Sequence, residues 1–168
     1  MINFTIKEIT ASDREWVARF LEKSWGSTKI VSRNRVHDAV NLPGFLAVEE
    51  GNPLGVIIYN IEGDQCEIVV LESMVENRGI GSALVEVVKR AAVSSGCRRL
   101  WLITTNDNMK ALKFYQKRGF LLVAVHRNAL EQARKLKPQI PVIGIDGIPL
   151  RDEIELEMPL QPLEGSGI

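Results

Sequence analysis

The chain has 168 residues, 45% of them hydrophobic and 25% charged, with a mean hydropathy near zero, a composition that excludes membrane-embedded, collagen-like and disordered chains. Lys plus Arg and Asp plus Glu each number 21, so no net field draws the protein toward nucleic acid or an anionic membrane, and neither is expected as a partner. A chain of this length buries roughly 68–70% of its unfolded surface and forms a full core without disulfide or metal staples, which predicts a single domain over residues 1–160.

The amino terminus MINFTIKEIT is charged and lacks an apolar signal core, and no later apolar run approaches the roughly 18 residues of a membrane span, so the cytoplasm is the expected compartment. Phe4 to Ile9 reads as a strand. Ser12 and Asp13 offer a cap before Trp16, Val17, Phe20 and Leu21 at helical spacing, and Trp25-Gly26 ends that helix. Ser32 predicts the cap of a second, short helix running to about Val40, with His37 within it. Pro43-Gly44 then precedes a strand over Phe45 to Val48. Gly51-Asn52 separates it from Leu54 to Ile61, and Gly63-Asp64 separates that run from Cys66 to Met74, which together predict an antiparallel meander.

The period then changes. Ile80, Leu84, Val87, Val88 and Ala91 share one face of a helix between Gly79 and Gly96, followed by a strand at Arg99 to Thr104. A helix from about Asn108 to Arg118 is closed by Gly119, and Phe120 to Val125 is the next strand. His126 to Lys137 reads as a further helix and Pro138 to Pro149 as a Pro/Gly-rich loop. Ile154, Leu156 and Met158 alternate with Glu153, Glu155 and Glu157, predicting a last strand with one wet, acidic face; residues 161–168 read as a mobile tail. The fold class is therefore mixed α/β. Cys66 and Cys97 make no C-x-x-C pair, and His37 and His126 are the two histidines, so no zinc set is present and no metal is expected; both cysteines read as reduced, buried thiols.

Two segments carry chemistry. Glu76-Asn77-Arg78-Gly79-Ile80-Gly81-Ser82 runs from a strand into a helix start, where the first N–H groups have no intrahelical partner and glycine lets an anion approach the backbone. Arg78 and Ser82 add side-chain donors. The plainer reading is a structural strand-to-helix turn. The segment is neither a P-loop nor a dinucleotide fingerprint. In the second segment, Asn108, Ala111 and Tyr115 share a helix face, with a small residue between two polar ones; a cap residue and a core tyrosine are the plainer reading there.

Together, in this order, the two segments resemble the GNAT superfamily of N-acetyltransferases. Its signature is (Q/R)-x-x-G-x-(G/A) after the fourth strand, followed by a helix reading N-x-x-A-x-x-x-Y and then G-F, here Asn108 to Tyr115 and Gly119-Phe120. Three departures stand out, the first being a turn after Met74 a few residues shorter than in many members. Glu76 occupies the Gln or Arg position, and a long segment, His126 to Asp152, separates the last two strands. The resemblance implies a mixed, mostly antiparallel sheet of about seven strands that splays into a V between Cys66–Met74 and Arg99–Thr104. It implies acetyl-coenzyme A as cosubstrate, held by Met74, Val75, Arg78, Gly79, Ile80, Gly81, Ser82, Asn108 and Tyr115. It also implies an enzyme that acetylates an amine of a small molecule or peptide by direct attack, with a backbone N–H between Ser73 and Val75 on the oxyanion. Tyr115 takes the place of the group that protonates the leaving thiolate. Glu72 is the leading base, with Glu67 and His126 as others.

The acceptor side is expected to involve Trp25, Arg33 and His126, with Lys29 and Arg35 nearby. Lys110, Lys113 and Lys117 form a row that reads either as a solvated face or as a neighbour of the coenzyme's 3′-phosphate. The reading from another class is a non-catalytic acyl-coenzyme A sensor, which binds the coenzyme without releasing its thiol. A homodimer is the expected assembly, two-fold dimers being the commonest.

Overall fold

A computed structural model of the chain describes residues 3–161, so the expected tail falls, from residue 162 onward, outside the described residues. In chain order the elements are β1 (Thr5–Glu8), α1 (Arg14–Trp25), β2 (Lys29–Ser32), β3 (Arg35–Asp38), β4 (Gly44–Glu49), β5 (Asn52–Glu62) and β6 (Gln65–Ser73). Then follow α2 (Ile80–Ser94), β7 (Arg99–Thr105), α3 (Met109–Lys117), β8 (Leu121–His126), α4 (Ala129–Leu136) and β9 (Glu153–Pro159). Short 3-10 turns lie at Ala11–Asp13, Ala39–Asn41 and Ile145–Gly147.

Two-residue turns, Glu50-Gly51 (one residue earlier than the expected Gly51-Asn52) and Gly63-Asp64, with the β-branched runs produce the predicted meander, β4-β5-β6, within a seven-stranded sheet ordered β1-β4-β5-β6-β7-β9-β8. Every pairing in it is antiparallel except β6 with β7, which the α2 crossover makes parallel. That parallel ladder pairs only Gln65–Ile68 with Arg99–Leu102, whereas β6 continues to Ser73 and β7 to Thr105. Beyond Ile68 the two strands separate, and this is the splay that the resemblance implied.

Side-chain alternation fills both sheet faces. Cys66, Ile68 and Leu100 pack with Ile80, Leu84 and Val88 of α2, and with Tyr115 and Phe120. Val56, Ile58 and Val70 pack with Val17 and Leu21 of α1. Both cysteines are free and buried as expected; burial, helped by the nearby Cys97 and Glu67, pushes the Cys66 thiol up to about 12.

The structure corrects the sequence in two places. Residues 29–38 are a hairpin, not a helix: Arg33 and Asn34 both have left-handed φ values (46° and 61°), the geometry of a two-residue turn whose twist matches antiparallel strands. Ser32 caps nothing, because its hydroxyl donates to Glu67 Oε2 at 2.6 Å. The acidic face of the last strand is not wet, since β9 lies between β7 and β8 and the hairpin packs over its end. Glu153, 3% exposed, pairs with Arg33 at 3.0 Å, while Glu155 and Glu157 both bind Arg99.

Gly55 fixes how closely α2 approaches the sheet. A Cβ there would lie 2.6 Å from Ile80 Cγ2 and 3.1 Å from the Glu72 carbonyl oxygen. Gly55→Ala is therefore expected to lose about 1–3 kcal/mol of stability, as overpacking at a filled contact does, read as a lower urea midpoint with unchanged m-value. An unchanged midpoint would show that α2 is free to shift.

Candidate active site

The first turn of α2 and one face of α3 form the walls of a cleft of about 450 Å³, with the end of β6 at its head. Asn77 and Gly79 adopt left-handed φ (62° and 76°), so the chain turns sharply out of β6 into the helix. The first helical bond is Ala83 N–H to Gly79 O, 3.0 Å. The N–H groups of Ile80, Gly81 and Ser82 thus have no intrahelical acceptor and sit at the positive end of the helix dipole. At Gly81 a Cβ would stand 3.1 Å from the Phe114 ring, so a larger residue there would make the ring give way by a few tenths of an ångström.

Asn108 Oδ1 caps α3 by accepting Ala111 N–H at 3.1 Å, and Asn108, Ala111 and Tyr115 line the cleft from the expected single helix face. Tyr115 packs edge-on to Phe114 and Phe120, with centroids 5.1 and 5.3 Å away. Its burial pushes the phenol pKa well above the ordinary value; Glu72 adds to this and Arg118 opposes it. The phenol therefore keeps its proton at neutral pH and is available as a donor.

Glu72 lies at the head of the cleft, where burial raises its carboxyl pKa against the opposing pull of Lys110. Because the folded value is raised, the stability that the protonated group contributes is fully present below the unfolded pKa and is lost as pH rises through the folded one. Glu72→Gln is thus expected to raise the melting temperature at neutral pH more than at acid pH. An equal change at both would contradict a raised carboxyl.

Along the splay, Met74 N–H is engaged, donating to Leu54 O at 2.8 Å. Ladder bonds alternate along an antiparallel pair, so with Ser73 opposite Gly55 the amides of Ser73 and Leu71 face the open side. Ser73 Oγ donates to Val75 O at 2.6 Å and shapes the turn. Val75, Gly79, Ile80, Gly81 and Ser82 all line the cleft; Met74 and Arg78 do not. Arg78 is instead bound to Glu49 at 2.6 Å.

Glu76 bonds Lys110 from the opposite wall, so the residue that departs from the family signature meets one member of the lysine row. Lys113 and Lys117 do not line the cleft. Arg118, which the sequence reading overlooked, does: its Nε–H donates to Ser82 Oγ at 2.7 Å and its guanidinium lies 3.6 Å from the Phe114 ring centroid. Only its adjacency to Gly119-Phe120 marked it in the sequence.

The expected acceptor residues lie apart from this cleft, around the hairpin on the α1 face. Arg33 is held by Glu153, and His126 Nε2 lies 2.9 Å from Glu155 Oε1. Trp25 ends α1, its carbonyl accepting Lys137 Nζ at 3.1 Å. Lys29 pairs with Asp38 and Arg35 with Glu62. Glu67 and His37 are buried beneath the hairpin. The segment joining β8 to β9 is tied to the turn between β7 and α3, with Asp107 Oδ2 accepting Ile145 N–H at 2.8 Å.

Among known proteins, the pattern of the acetyltransferase (GNAT) family matches residues 11–120. Two Bacillus subtilis (strain 168) relatives, both described as uncharacterized, are similar over most of their length. YdhI is 48% identical over 80% of this chain and 85% of its own, and YxbD 42% identical over 88% and 94%. A GNAT acetyltransferase from Elizabethkingia anophelis, solved with acetyl-coenzyme A bound, superposes with a TM-score of 0.68 at 22% identity, covering 95% of this chain and 100% of that one.

Proposed function

We propose a reaction for this chain from the fact that it belongs to the acetyltransferase (GNAT) family: transfer of an acetyl group from acetyl-coenzyme A to a primary amine of a small molecule or peptide. The observation that carries the reading is the junction of the splay with the cleft, where the proton-retaining Tyr115 and the raised carboxyl of Glu72 both border the free amides of α2. That lining fits the cosubstrate, with unpaired N–H groups for its phosphates and an open strand edge for its extended amide arm.

The cosubstrate, when bound, supplies a thioester whose carbonyl the neutral amine attacks; a C–N bond forms and the C–S bond breaks. Glu72, directly or through water, takes the proton that the ammonium must lose before attack. The Ser73 amide, facing the splay, donates to the oxygen that gains charge. The nitrogen, cationic once the C–N bond forms, loses its second proton to solvent, while Tyr115 gives its proton to the departing sulfur and recovers one from solvent. The acceptor enters from the α1 face, where the β2–β3 hairpin and the 127–152 segment form the walls, with Trp25, Arg33 and His126 along its edges.

A thiol-release assay across polyamines, amino acids and peptide amino termini, with the product weighed by mass spectrometry, tests the reading. Release that depends on an acceptor, with a mass gain of one acetyl group, supports it. Coenzyme binding with no release for any amine would favour a sensor.

A further inference from the structure

We infer that Arg118 is a specificity-determining residue that makes the cleft select for the coenzyme's pyrophosphate; this rests on the acetyl-coenzyme A reading above. Three cations border or flank the cleft walls, and two already have a carboxylate partner, Lys110 with Glu76 and Arg78 with Glu49. Arg118 lines the cleft half-buried, and among the described residues no carboxylate pairs with it. Its guanidinium is nonetheless fixed: Nε–H donates to Ser82 Oγ at 2.7 Å, one Nη–H donates to Phe114 O at 2.9 Å, and its central carbon lies over the Phe114 ring. A permanent charge held in place without a counter-ion is prepared for an anion from outside.

The location says which anion. Ser82 stands in the first turn of α2, beside the unpaired amides of Ile80 and Gly81. A hydroxyl has a single hydrogen, and with its oxygen accepting from Arg118, Ser82 Oγ sends that hydrogen outward as a donor. Arg118 thus contributes its own charge and also sharpens Ser82 as a donor, a short network in which each bond polarises the next. Tyr115 and Glu72 mark the reacting end of the same cleft. A diphosphate linking the coenzyme's amide arm to its adenosine is the group that reaches Ser82 while the thioester lies at Tyr115.

The test compares wild type with Arg118→Met, Arg118→Lys, Ser82→Ala and the double variant Ser82→Ala/Arg118→Met, using titrations with coenzyme A and dephospho-coenzyme A and turnover with S-acetylpantetheine, which has no phosphate. Arg118→Met is expected to weaken coenzyme A and dephospho-coenzyme A alike by about 10- to 100-fold, the range of a charge-assisted contact. Because Arg118 also acts on Tyr115, kcat/KM for S-acetylpantetheine is expected to fall as well, but by clearly less than the loss of coenzyme A affinity. Arg118→Lys, which keeps charge but loses the fork onto Ser82, is expected to fall between, and the Arg118→Met and Ser82→Ala losses to be less than additive. The inference is overturned by unchanged coenzyme A affinity, by a loss spared with dephospho-coenzyme A, or by an equal loss with S-acetylpantetheine. Wild type that fails to bind coenzyme A would bring down the underlying function, a result distinct from any of these.

Discussion

Tyr115→Phe is expected to lower kcat by about 10²–10⁴ while acetyl-coenzyme A affinity stays within about twofold, the effect of removing a positioned general acid from a site that otherwise keeps its shape. Phenylalanine fits because the ring, not the oxygen, makes the contacts with Phe114 and Phe120. Without the hydroxyl, a thiolate must leave uncompensated. The pH profile carries a second signature. A phenol raised by burial loses its proton only well above the ordinary tyrosine range, so wild type should hold its activity to high pH and Tyr115→Phe should show no alkaline fall of its own. Steady-state kinetics beside a coenzyme titration check both; unchanged kcat would remove Tyr115 from the mechanism.

Glu67→Ala is expected to cost about 1–3 kcal/mol, since the buried Ser32 hydroxyl would lose its acceptor. Ser32 Oγ donates to Glu67 Oε2 at 2.6 Å, His37 Nε2 lies 3.3 Å from Oε1, and all three residues are no more than 6% exposed. Ser32 Oγ and Glu67 both approach the same ring nitrogen of His37, so the cluster is a fastener for the hairpin and not a nucleophile with a relayed base. The loss is a large share of the 5–15 kcal/mol typical of a domain. Urea unfolding measures it, with Glu67→Gln, which keeps an acceptor for Ser32, expected to lose less. A Glu67→Ala protein as stable as wild type would mean that the hairpin is held by Arg33–Glu153 and Arg35–Glu62 alone.

What the sequence made legible was what neighbours in the chain determine. Ile80, Leu84 and Val88 recur at helical spacing, so α2 and its glycine-rich start were visible, as were Asn108 and Tyr115 on one face of α3. The hairpin was not, because its turn residues are Arg33 and Asn34, without the glycine that usually signals two left-handed positions. Ser32 looked like a helix cap because its true partner, Glu67, lies 35 residues away. The acid row of β9 looked solvated for the same kind of reason: its cations, Arg33 in the hairpin turn and Arg99 on β7, lie far away in the chain. Arg118 was hidden likewise, its Ser82 contact spanning 36 residues. Apart from the hairpin turn, long-range pairing separates these errors from the successes.

The most direct measurement is a thermal melt with and without acetyl-coenzyme A, beside adenosine 3′,5′-bisphosphate as the control lacking the pantetheine arm. At about 100 times Kd the ligand adds roughly 2.7 kcal/mol, which for a chain of this size raises Tm by roughly 5–10 °C. A rise of that order with acetyl-coenzyme A, and a much smaller one with the control, is the predicted result. No rise at millimolar acetyl-coenzyme A would contradict the account, because the cleft between α2 and α3 would then not be a coenzyme site.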